Sequence, residues 1–190
     1  MISSRKVYAP EAQWDACEDS PVAGIDHYGR NKLRIEEKLI QKLGDKLTIL
    51  RPGNVIGFER MVGRQRFGSF LLNQLAETGK IELSISPHVR RDIVPMNYFC
   101  SVLREFTQQK LSGVFNLGAG EACSVGDVAG WIIAGYGKGA VHARSTAVID
   151  EFQLNSSKLV EATSIHCGRA LVESYCRTIG AGLSKDVMSR

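Results

Sequence analysis

The sequence predicts an α/β fold, and three observations carry that prediction. Short apolar runs of strand length alternate with longer segments of helical period, glycine or proline stands at most of the junctions, and no linker divides the chain into independent units. The 190 residues are 44% hydrophobic and 23% charged, the composition of a globular chain long enough to bury its own core.

The elements follow in order. Met1 to Ser4 read as the end of a buried strand, and residues 9–27 as a loop punctuated by Pro10, Pro21 and Gly24. A helix is predicted over 26–43. Asp26 can cap it, Leu33, Leu39, Ile40 and Leu43 form its apolar face, and Gly44 stops it. Residues 46–50 read as a strand that ends at Arg51-Pro52-Gly53, and 54–64 as a loop with Gly57 and Gly63. A helix over 66–77 carries Phe67, Phe70, Leu71 and Leu75, and a pair of strands is expected at 81–85 and 92–94. Helix 98–108, strand 114–117 and helix 125–133 come next, the last broken by Gly135, Gly137 and Gly139. Two helices, 156–165 and 169–179, complete the chain.

Charge and cysteine content exclude several classes of function. The net charge of +4 suits an anionic small ligand, and no nucleic-acid-binding module is recognisable, so no nucleic-acid partner is expected. Arg60, Arg64 and Arg66 are read as a solvated loop cluster. The five cysteines are odd in number, irregularly spaced and without a C-x-x-C, which reads as reduced thiols in a cytoplasmic protein. The four histidines have no ligand spacing with them, so no metal is expected. No apolar run has the length of a membrane span, and residues 1–8 lack the apolar core of a signal peptide.

The chemistry centres on Tyr28-Gly29-Arg30-Asn31-Lys32. Positions i and i+4 of a helix share a face, so the phenol and the ammonium are neighbours. A phenol titrates near about pH 10, and a nearby cation favours its ionised form. Such a pair can take or give a proton while a carbonyl or alcohol reacts. Alone, Y-x-x-x-K is most often a solvated surface pair; what surrounds it matters. Upstream lies Ser3-Ser4-Arg5-Lys6-Val7-Tyr8, and downstream lies Arg51-Pro52-Gly53-Asn54-Val55-Ile56-Gly57. Then come Arg90-Arg91-Asp92-Ile93-Val94 and Gly113-Val114-Phe115-Asn116-Leu117-Gly118.

In order and spacing, over nearly the whole chain, this set resembles the extended short-chain dehydrogenase/reductases, the NAD-dependent epimerase/dehydratase family of UDP-galactose 4-epimerase and the dTDP-glucose dehydratases. The resemblance implies a partial Rossmann-like parallel sheet, made of its last strands, with a small α/β substrate-binding region. Residues 1–57 would be the remnant of the Rossmann domain. Residues 58–190 would be mostly the substrate region, with 113–118 a strand returning to the sheet. It also implies roles. Ser4 matches the catalytic hydroxyl that bonds the reacting oxygen, Tyr28 the general acid/base, and Lys32 the lysine that binds the nicotinamide ribose and favours the phenolate. Pro52 and Gly53 would lie beside the nicotinamide, Asn54 would touch substrate, and Arg91 would meet the substrate diphosphate with its guanidinium fork. The expected cofactor is NAD or NADP, and the expected substrate a nucleotide-sugar. Epimerisation, dehydration and reduction share this proton-transfer set and stay open. One departure stands out: where the family has R-D-x-x-H-V-D-D, this chain reads Arg91-Asp92-Ile93-Val94-Pro95-Met96-Asn97-Tyr98, which leaves the sugar unassigned.

A dinucleotide-binding half needs a strand, a G-x-G-x-x-G turn at a helix start, and an acidic residue about 20 positions later. Gly118-Ala119-Gly120-Glu121-Ala122-Cys123 is the nearest match, and Cys123 replaces its third glycine. It is read as a decoy, and Gly135 to Gly139 as a helix-ending turn. The amino-terminal dinucleotide-binding half is therefore expected to be absent, leaving a sheet edge open. Two partners are expected for such a chain: a complementing amino-terminal half, or a second copy paired through helix 28–43. The alternative function is a non-catalytic relative that serves as a binding or partner-complementing module.

Overall fold

Asp26 starts helix α1 (His27–Leu43) by accepting a hydrogen bond from the Gly29 amide at 2.7 Å, and Gly44, at φ 51°, closes it by donating to the Ile40 carbonyl. The computed structural model describes residues 1–58 and 66–188. Its architecture is α/β, built on short paired strands.

Strand β1 (Thr48–Pro52) runs parallel to β6 (Gly113–Leu117), with Leu50 opposite Phe115. On its other edge Leu50 bridges Ile2 in parallel, and the Ser3 amide donates to the Leu50 carbonyl at 2.7 Å. The start of the chain is thus strand-like, as its apolar character suggests. Strand β2 (Asn54–Ile56) pairs in parallel with β5 (Ile93–Pro95), and β3 (Lys80–Leu83) with β8 (Ala140–Ala143). Strands β4 (Arg90–Arg91) and β7 (Cys123–Ser124) form a short antiparallel pair. Between them run α2 (Phe67–Thr78), α3 (Met96–Gln109) and α4 (Val125–Tyr136), followed by α5 (Ser157–Thr163) and α6 (Gly168–Met188).

Several expectations need correction. Residues 54–56 form β2 rather than loop; of the rest of that stretch, 59–64, including Arg60 and Arg64, lie outside the described residues. The segments 81–85 and 92–94 do not pair with each other, because each finds a parallel partner elsewhere. Gly135 does not break α4. It sits inside the helix, where a Cβ would come within 1.9 Å of the Arg177 carbonyl of α6, and Gly180 of α6 faces the Ile132 carbonyl at 2.0 Å in the same way. Glycine at both positions lets the two backbones touch. The stop is Gly137, at φ 91°. The final helix also runs past position 179, to Met188.

The main core gathers Leu50, Ile56, Leu71, Ile93, Leu117 and Ile132 with apolar residues of α6, and a small satellite joins Val7, Tyr8, Ala16 and Leu154. Helix α1 contributes little to either. Leu33 packs on the satellite, but Ile40 is 46% and Leu43 40% exposed, so the expected apolar face is not buried within the chain. The helix docks by other means. A Cβ on Gly29 would meet the Lys6 carbonyl at 2.0 Å, and Glu36 is 1% exposed against Arg51. That ion pair is two-pronged: Arg51 donates to Glu36 from its Nε at 3.2 Å and from its terminal nitrogen at 2.7 Å. A buried carboxylate needs this kind of partner to remain charged.

Candidate active site

A cleft of about 530 Å³ lies at the ends of β1 and the Ile2 bridge. Ser4, Tyr28, Pro52, Gly53 and Asn54 all line it, so five of the seven residues singled out in the sequence meet in one place. Each is put there by local structure. Ser4 stands at the turn after the Ile2 bridge, its hydroxyl accepting from the Lys6 amide at 3.2 Å. Tyr28 is in the first turn of α1 and is 46% exposed. Pro52 ends β1, Asn54 begins β2, and Gly53 joins them where a Cβ would meet the Asp92 carbonyl at 2.8 Å.

Lys32 stands one helical turn beyond Tyr28, its ammonium 5.6 Å from the centre of the phenol ring. It donates to the Ile2 carbonyl at 2.9 Å, which ties α1 to the strand that leads into Ser4. A second tie lies at the helix start, where Lys6 and Asp26 pair at 2.6 Å. Burial works to raise the Asp26 pKa, but the hydrogen bonds from Lys6 and Gly29 outweigh it and hold the carboxyl below its usual range.

Arg91 lies in an adjoining cleft of about 380 Å³, lined also by Phe70, Leu83 and Ile149. Arg66 and Phe67 border both clefts, so the two share a wall. Sequence reasoning missed three further residues that line the first cleft, namely Phe67, Met96 and Phe99. Phe67 and Met96 each begin a helix, and that position was the signal available. First-turn residues of α1, α2 and α3 therefore all line the cleft. Another cleft, of about 450 Å³ between Asp15, Gly120 and His166, contains none of the seven residues.

Behind the site, Asp92 is fully buried and accepts from the Ala119 amide at 2.7 Å and the Leu154 amide at 3.1 Å. Burial pushes its pKa up to about 7, against the pull of those two hydrogen bonds. The thiols of Cys123, Cys167 and Cys176 are also pushed up by burial, to about 11, about 12 and about 12, so they are protonated packing groups rather than nucleophiles. Among the described residues no group of three His, Cys, Asp or Glu could hold a metal ion, and no helix is long and apolar enough to cross a membrane.

No protein-family model and no curated protein matches the sequence. Solved structures do. An NAD-dependent NDP-hexosamine 5,6-dehydratase, TunA, of tunicamycin biosynthesis superposes with a TM-score of 0.79 at 21% identity, over 100% of this chain and 62% of its own. The UDP-N-acetylglucosamine 4-epimerase of Methanobrevibacter ruminantium gives 0.82 at 14% identity, over 98% and 62%.

The chain has the fold of the carboxy-terminal portion of Rossmann-like NAD-dependent epimerases and dehydratases.

The UDP-glucose 4-epimerase of Stenotrophomonas maltophila, solved with NAD and a formylated UDP-arabinopyranose, agrees, at a TM-score of 0.74, 20% identity and coverages of 100% and 64%. The chain thus spans somewhat less than two thirds of the length of these epimerase and dehydratase structures. At such identities the agreement concerns the fold.

Proposed function

We propose that the chain forms the proton-transferring and substrate-binding part of an NAD(P)-dependent enzyme acting on a nucleotide-linked sugar. One observation carries the reading: Ser4, Tyr28 and Asn54 line a single cleft with the Pro52-Gly53 turn, and Lys32 stands one turn behind Tyr28. In this reading Ser4 hydrogen-bonds the reacting sugar oxygen and Tyr28 takes or gives its proton, with the Lys32 charge favouring the phenolate. Asn54 contacts the sugar. Arg91 meets the diphosphate from the adjoining cleft, and the shared wall of the two clefts fits a ligand made of a sugar and a nucleotide.

The residues fit the nicotinamide end of the cofactor. Tyr28 and Lys32 offer polar atoms for its ribose, while Pro52 and Gly53 line the cleft where the ring would lie. When bound, the nicotinamide supplies the hydride chemistry. These 190 residues contain no strand, G-x-G-x-x-G turn and helix unit for the pyrophosphate. An amino-terminal unit, preceding these residues in the same polypeptide or separate from it, would provide it.

Titration calorimetry on the purified chain tests both halves of the proposal. UDP or another nucleoside diphosphate such as dTDP should bind, and Arg91→Ala should abolish the binding; a chain that ignores every nucleoside diphosphate is not a nucleotide-sugar protein. NADH should bind weakly or not at all. Micromolar NADH binding that disappears with Lys32→Ala would show that the chain builds a working cofactor site without the usual pyrophosphate loop.

A further inference from the structure

We propose that Asp150 is a built-in competitor for the ligand's phosphate: its carboxylate occupies Arg91 until a diphosphate displaces it, so Asp150 sets how tightly the nucleotide is held. The inference rests on the reading of Arg91 as the diphosphate-binding residue.

The Asp150 carboxylate bridges two guanidinium groups. One oxygen lies 2.5 Å from Arg5 and the other 3.4 Å from Arg91, while the Asp150 backbone carbonyl accepts from Arg91 Nε at 3.2 Å. The two arms differ in strength. Arg5 is buried, its guanidinium stacked 3.7 Å above the Phe152 ring and bonded to Gln13 at 2.7 Å. Asp150 is therefore anchored on Arg5 and reaches Arg91 with its longer, weaker arm.

Among the described residues, two arginines share this one carboxylate, which leaves the cluster one positive charge in excess. Burial and the neighbouring Arg5 both disfavour the Arg91 cation, and Asp150 only partly offsets them, so a further anion is favoured there. A phosphate presents a guanidinium with the same paired oxygens as a carboxylate. The Asp150 side chain is 41% exposed, so an incoming ligand can reach the contact, and its neighbour Ile149 lines the same cleft as Arg91. Ordinary orienting groups behave differently: if Asp150 only held Arg91 in place, removing its charge would weaken phosphate binding.

The test is calorimetric titration of UDP and of uridine into the 190-residue chain and its Asp150→Asn and Asp150→Glu variants. Asp150→Asn should bind UDP roughly two- to fivefold more tightly, the range of a partly exposed ion pair. Uridine binding should not change, and Asp150→Glu, which keeps the charge, should resemble the parent. Should the asparagine variant fail to melt cooperatively, Asp150→Ser removes the charge with a smaller side chain and should give the same sign. UDP binding that is unchanged or weakened in the charge-removed variant, with the parent binding UDP normally, overturns the competitor role and leaves the nucleotide-sugar reading intact. Should UDP not bind, dTDP and GDP take its place as probe, and failure of every chain to bind any of the three removes both.

Discussion

Asp92 shows how a single side chain can set the pH response of this protein. Its carboxyl is fully buried, receives two backbone amides and, among the described residues, no cation, and burial pushes its pKa up to about 7. In the unfolded chain an aspartate titrates near about 4. Between those values the folded state binds more protons than the unfolded state, so stability is greatest at the acid end and falls as pH rises toward 7. The limiting slope is about 1.4 kcal/mol per pH unit. Asp26 and Asp127 act in the opposite sense. In each, burial is outweighed by hydrogen bonds from Lys6 and Gly29 or from Arg169 and Ser124, so their contribution is lost only below the usual carboxyl range. Urea midpoints should therefore be higher at pH 5 than at pH 8, and Asp92→Asn should flatten the difference. Equal midpoints in the parent would mean that Asp92 stays ionised throughout.

Among the elements, α4 and α6 depend most on the identity of single residues. Their backbones meet at Gly135 and Gly180, where a Cβ would lie within 1.9 Å and 2.0 Å of the opposite carbonyl oxygen. Neither neighbour is a flexible side chain that could turn aside. Gly180→Ala should push the helices apart and cost about 1–3 kcal/mol, the usual range for overpacking, although alanine is the better helix former. Thermal melts would measure this, and a variant as stable as the parent would show that the crossing has room to give. Sequence reading treats Gly135 as a helix breaker because, within its own helix, a glycine looks like a stop signal. Its actual role is defined by Arg177, 42 positions away.

For the whole molecule, the outward face of α1 carries apolar side chains that the described residues leave exposed. Ile35 and Leu43 are 46% and 40% exposed, and half-buried Leu39 lies between them at i+4 spacing on one stripe. Aligned apolar groups on an exposed helix favour burial against another surface. Pairing of two copies through α1 is the proposed assembly. Light scattering should give a dimer for the parent, and Ile35→Glu should shift it to a monomer that still melts cooperatively but without the parent's concentration dependence. A parent that is monomeric at every concentration rules out the α1 pair.

The local chemistry of the chain was largely legible in its sequence. Asp26 capping, the Tyr28–Lys32 face, the stop at Gly44 and the Pro52-Gly53 turn each depend on residues within a few positions of one another, and nearest-neighbour geometry dictates them. The order of motifs pointed to the fold that the structural comparison then showed. What the tertiary structure alone decided lies at long range. It chose β8 as the partner of β3, although the four residues of β8 are all exposed and show no apolar alternation. It set Glu36 against Arg51, aimed the Ala119 and Leu154 amides at Asp92, and put Asp150 between Arg5 and Arg91. These contacts close loops of up to 145 residues, and no local preference distinguishes one distant partner from another until packing excludes the alternatives.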